Sequence, residues 1–164
     1  MIALVAVAVL LLAGCGDSDD PTESPPGGDP ATADADAGDL EVIEGWSRAL
    51  SAGDVEGAAG YFAIPSTAEN GGLRIEIRSR DDAVEFNESL PCGAKVVAAR
   101  TAGEVTTATF LLSDRSGGDC GSGAGGEAAT AFRIENGEIA EWQRVAVPGG
   151  NGAAPIEADP GTPT

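Results

Sequence analysis

The chain has 164 residues, 27 of them acidic and 9 basic, for a net charge of −18 at pH 7. That excess repels phosphate backbones and no basic stripe offsets it, so nucleic acid is excluded as a partner. Histidine is absent and there are three cysteines, without a Cys-x-x-Cys pair, so neither a zinc site nor a redox dithiol is expected, nor any other cofactor.

Ile2 to Ala13 is an unbroken run of Ala, Val, Leu and Ile. It has the length of a signal-peptide core and falls short of the roughly 20 apolar residues that span a bilayer. The residues that close it, Leu12-Ala13-Gly14-Cys15, resemble a bacterial lipobox. The resemblance implies a signal peptide over 1–14, cut before Cys15. A diacylglycerol on the Cys15 thiol and an acyl chain on its amine would then hold the protein on the outer, extracytoplasmic face of the cell membrane, where two or more chains anchor stably. Residues 15–39 read as a tether. From 16 to 39 they hold eight acids, four prolines and no base, too little apolar surface to offset chain entropy, so disorder is expected. Such a linker reaches about 25–30 Å r.m.s..

A single domain is expected over 40–147, where the net charge is −8. Asp39 can cap a first helix, with Leu40, Ile43, Ser47 and Leu50 on one face and Val42, Trp46 and Ala49 broadening it. Gly53 ends this helix. Asp54 caps a second, with Val55, Ala58, Ala59 and Phe62 inward and Pro65 as its stop. Ser66 to Gly72 reads as a loop. Leu73 to Arg78 alternates apolar and charged residues, the pattern of a half-buried strand. Ser79 and Asp82 have capping-box spacing before a third helix with Ala83, Phe86 and Leu90 on a stripe, stopped by Pro91.

The remainder reads as antiparallel strands. Lys95–Thr101 turns at Ala102-Gly103 into Glu104–Leu112, whose Thr106, Ala108, Phe110 and Leu112 share a face. A glycine-rich loop, Ser113–Gly126, leads to a strand over 127–135. Asn136-Gly137, the strongest hairpin signal in the chain, joins that strand to Glu138–Val147. Ile139 and Trp142 have opposite parity, so a bulge near Ala140 is needed to bury both. Residues 148–164 form a polar, disordered tail.

Asp54-x-Glu56-x-Ala58-Ala59-x-x-Phe62 and the closing Phe132-Arg133-Ile134-Glu135-Asn136-Gly137-Glu138-Ile139-x-x-Trp142 resemble nuclear transport factor 2-like (SnoaL-like) domains. So does the order helix, helix, strand, helix, sheet. Leu90-Pro91-Cys92-Gly93 with a later cysteine is similar to lipoproteins of that superfamily from actinobacteria. The resemblance implies an α+β fold of three helices packed on a curved antiparallel sheet, with a conical pocket. Once Cys15 carries lipid, Cys92 and Cys120 remain as an even pair in an oxidising compartment. A bridge between them is expected, two free thiols being the alternative.

The candidate pocket residues are Trp46, Tyr61, Phe62, Phe86, Arg100, Phe110, Thr130, Phe132, Trp142 and Gln143, although plain core is the ordinary use of most of the aromatics. Relatives of this fold include polyketide cyclases, dehydratases and ketosteroid isomerase, which use an Asp or His base in the cone with a Tyr or protonated Asp opposite. Here no histidine exists and no Asp lies inside an expected strand. The favoured reading is therefore a membrane-anchored domain that binds a small apolar ligand or a protein partner without catalysis. The alternatives are an isomerase- or cyclase-like enzyme acting on a small ketone or polyketide, and a structural or inhibitory partner of an envelope protein. Self-association through the sheet is a further expectation.

Overall fold

The computed structural model describes Thr32 and residues 34–149. The expected signal peptide, Cys15, most of the expected tether and the tail beyond Gly149 lie outside the described residues.

Helix α1 spans Ala37–Ala52, one turn earlier than expected, because Asp36 rather than Asp39 is its cap. The Asp36 backbone is extended and its carboxylate accepts from the N–H groups of Gly38 and Asp39 at 2.9 and 3.0 Å, satisfying donors that the first turn leaves free. The tether boundary at 39 is corrected with it, since Asp34 already bridges Arg100 and accepts from the Thr101 N–H. Gly53 ends α1 at φ 78°, where its N–H reaches back to Ala49 and Leu50.

Helix α2 is short, Val55–Ala59, capped by Asp54. The chain then enters strand β1, Phe62–Asn70, where a helix end and a loop were expected. Phe62, Ser66 and Ala68 are buried in it. Pro65, after a cis peptide bond, falls where the pairing of β1 with its neighbour is out of register, the place in a sheet where a missing N–H costs no ladder bond. Gly71-Gly72 turns the chain into β2, Leu73–Ile77. Only Ile77 of its apolar residues is fully buried; Ile75 is half-buried and Leu73 exposed, because β2 is the sheet's edge and just its C-terminal end is covered.

Helix α3, Arg80–Glu88, starts with the expected capping box between Ser79 and Asp82. Strands β3 (Cys92–Ala102), β4 (Val105–Asp114), β5 (Glu127–Glu135) and β6 (Glu138–Val145) follow, each paired antiparallel with the next. The β5–β6 turn has Asn136 at φ 53° and Gly137 at φ 79°, as a two-residue hairpin requires. Arg133 pairs with Glu141 and Ile134 with Ile139, so Ala140 is the extra residue, and the expected bulge buries both Ile139 and Trp142.

The six strands form one sheet in the order β2-β1-β6-β5-β4-β3. It is mixed rather than purely antiparallel, since β6 returns beside β1 and runs parallel to it. The three helices pack on the sheet and on one another, α1 against β3 and β4, α2 between α1 and α3. Between the layers, the Trp46 ring meets Phe110, Phe132 and Trp142 edge-on at 5.9, 5.7 and 6.4 Å. Phe86 meets Trp142 and Phe62 at 5.1 and 5.6 Å. Edge-to-face pairs of this kind add about 0.5–1.5 kcal/mol each beyond their buried area. Asn87, fully buried, accepts from the Trp46 indole N–H at 2.8 Å and donates to the Ala83 carbonyl at 2.7 Å. A Cys92–Cys120 disulfide ties the start of β3 to the glycine-rich loop, which contains a single 3-10 turn at Gly121–Gly123.

Candidate functional site

A cavity of 260 Å³ opens between α1 and the helix-facing side of the sheet, beneath the segment that joins α3 to β3. Trp46 and Leu50 come from α1, spaced one turn apart so that both point inward. Phe110 and Leu112 line it from β4, Ala128 and Thr130 from β5, Trp142 and Arg144 from β6. Strand alternation explains this set, since i and i+2 share a face. Thr130 stands directly across from Arg144, as Phe132 does from Trp142. Leu90, Pro91 and the bridged Cys92 close the rim.

The lining is mostly apolar, and its polar groups are few. Trp142 is 3% exposed, and its indole N–H has no hydrogen-bond partner among the described residues. A buried donor left unpaired costs about 1–3 kcal/mol. Thr130 is also buried. No Asp or Glu borders the cavity, and the buried polar side chains among the described residues are Ser47, Ser66, Asn87, Thr106 and Thr130, without a carboxylate. No cluster of His, Cys, Asp and Glu suited to a metal is present among the described residues.

Of the residues expected at a pocket, Trp46, Phe110, Thr130 and Trp142 meet at this cavity. Phe62, Phe86 and Phe132 are core, packed behind it. Tyr61 lies elsewhere. Its ring rests against Gly45, where any Cβ would collide with it, and it borders a groove along α1 with Leu40, Glu41, Val42 and Arg48. Arg100 and Gln143 are exposed. Arg100 pairs with Thr107 and Gln143 with Ala131, placing both on the sheet's outer face. Arg144 was not foreseen, although its parity with Trp142 on β6 is the signal that finds it.

Two ion-pair regions sit away from the cavity. Arg133 bonds Glu141 at 2.8 Å and also pairs with Glu135. That bond holds Glu141 below the usual carboxylate range and raises Arg133. Arg78 pairs with Glu76.

No protein-family model matches the chain, and no curated protein matches it in sequence. Solved structures do match. A nuclear transport factor 2-like protein of unknown function from Cytophaga hutchinsonii is 14% identical, with a TM-score of 0.52 over 66% of this chain and 89% of its own. A candidate polyketide cyclase from Sinorhizobium meliloti is 17% identical, with a TM-score of 0.51 over 64% and 94% of the two chains. A cystatin-fold protein from Novosphingobium aromaticivorans is 12% identical, with a TM-score of 0.50 over 65% and 97%. Identities this low speak to the fold alone.

Proposed function

On the premise that the chain carries the nuclear transport factor 2-like fold of these structures, we propose that its domain binds a small apolar molecule between α1 and the sheet and does not transform it. The observation that carries this reading is the cavity itself, walled by Trp46, Leu50, Phe110, Leu112 and Trp142 with few polar groups among them. In this reading the cavity is what the packed aromatics leave of the conical pocket that the fold provides. At 260 Å³ it suits a guest smaller than those of typical drug-sized sites, which run from about 300 Å³ upward.

Binding without turnover is supported by the same lining. Enolising a ketone takes a desolvated base and an oxyanion donor facing each other. Here no carboxylate borders the cavity and Tyr61 lies outside it. The site of action we propose is the outer face of the cell membrane, with Cys15 as the lipidated residue; Leu12-Ala13-Gly14-Cys15 after an apolar run supports it.

The chain's two tryptophans both border the cavity, so intrinsic fluorescence reports on it directly. Titrating the full chain with 3-phenylpropan-1-ol should shift the emission saturably. A linear, unsaturable response would overturn the binding reading, and isomerisation of an enolisable ketone by the same protein would overturn the claim of no turnover.

A further inference from the structure

We propose that the guest is an anion, a small carboxylate whose apolar body fills the cavity and whose charge rests on Arg144. The inference deepens the binding reading above and rests on it. In a chain of net charge −18, the one charged residue among the described residues that line this cavity is a cation. Among the described residues two arginines are ion-paired, and the others, Arg144 with them, are not. Arg78 is paired with Glu76, and Arg133 with both Glu135 and Glu141. Arg144 is on the same strand as Glu141, yet it makes no ion pair among the described residues. Strand parity is the reason: Glu141 points to the outer face with Arg133, whereas Arg144 shares the inner face with Trp142 and pairs across the strands with Thr130.

An exposed guanidinium and, directly across the strands from it, the hydroxyl-bearing Thr130 thereby both line an otherwise largely apolar cavity, with Asn70 as its other polar side chain of this kind. A carboxylate is acceptor-only and takes several such donors at once, whereas a neutral carbonyl or alcohol leaves most of them unmatched. Arginine's planar fork suits a carboxylate in particular. Trp46, Leu50, Phe110 and Leu112 on the other walls leave the body of the guest nothing to bond and much area to bury.

The test compares two probes of one shape, 3-phenylpropionate and 3-phenylpropan-1-ol, by tryptophan fluorescence on the full chain and on Arg144→Gln. The carboxylate should bind at least about tenfold tighter than the alcohol, the worth of one hydrogen bond to a charged group. Arg144→Gln should abolish that preference, with circular dichroism read beside it to show that the variant is folded. Equal affinity for the two probes, or a carboxylate preference that survives Arg144→Gln, would overturn the proposal and leave apolar binding standing. Saturable binding of neither probe would remove both.

Discussion

Asp82 does the work of two caps. Its carboxylate accepts from the N–H groups of Arg78 and Ser79 at 2.8 and 3.0 Å, while its own N–H donates to the Ser79 hydroxyl. The Arg78 N–H foremost, and Ser79 after it, hold this carboxyl below the ordinary aspartate range. A depressed folded pKa contributes stability that is present above the unfolded value of about 3.9 and is lost as pH falls through the folded one. Asp82→Asn should therefore be less stable than wild type near neutrality, and the gap in urea midpoint should close as pH drops toward 3. A gap that stays constant with pH would show that the charge contributes nothing. This capping box was legible because Ser79 and Asp82 are fixed three residues apart at a hydrophobic onset. The α1 cap was not. Asp34, Asp36 and Asp39 all precede or enter the same apolar stripe, and spacing cannot choose among them. Tertiary contacts choose. The Asp36 N–H donates to Thr101, whose hydroxyl lies 2.7 Å from that of Thr106, which in turn donates to Asp39 at 2.5 Å. With Asp39 on the β3–β4 hairpin, Asp36 is left to cap.

Elements with a strong local signal emerged from sequence, and the one governed by distant partners did not. The β5–β6 hairpin and its bulge at Ala140 follow from Asn136-Gly137 and the parity of Ile139 and Trp142. Strand β1 was missed because Phe62 continues the helical spacing of Ala58 and Ala59, and Pro65 reads as a breaker. Its pairing with β6 joins residues more than 70 positions apart, and nothing local encodes that contact. The mixed sheet was missed with it. The Cys92–Cys120 bridge is an element-level prediction that the fold makes quantitative. It closes a 28-residue separation, for which chain entropy assigns about 3–4 kcal/mol. It also fixes a segment without regular structure at the cavity rim, where Cys92 and Gly123 both border the opening. Replacing both cysteines with serine should lower the unfolding free energy by about that amount in chemical denaturation. Unchanged denaturation midpoints, with and without reductant, would mean that the loop is held by other contacts.

At the scale of the whole molecule, the order of helices and strands was legible, but which side chains meet at the site depended on parity along β6. Gln143 and Arg144 are sequence neighbours on opposite faces, and choosing the wrong one misplaces the charge that lines the cavity. The remaining question of scale is how such an acidic chain would be held at a membrane, as proposed. No helix among the described residues is long and apolar enough to cross one, and a net charge of −18 is repelled by anionic lipid. The membrane attachment proposed above would therefore rest on a covalent device, with Cys15 as the proposed residue. The described fold begins by Asp34, so the chain between the two can extend at most about 65 Å. Fully extended, that reach would hold the cavity clear of the headgroups. Expressed in a bacterium, the full chain should fractionate with membranes, carry the mass of a diacylglycerol and an acyl chain at Cys15, and accumulate uncut when globomycin blocks the lipoprotein signal peptidase. Cys15→Ser should lose the lipid mass and the globomycin response together. A Cys15→Ser form that is processed at the same position and equally membrane-bound would refute lipidation and leave the ligand site unaffected, because none of the cavity residues lies before Trp46.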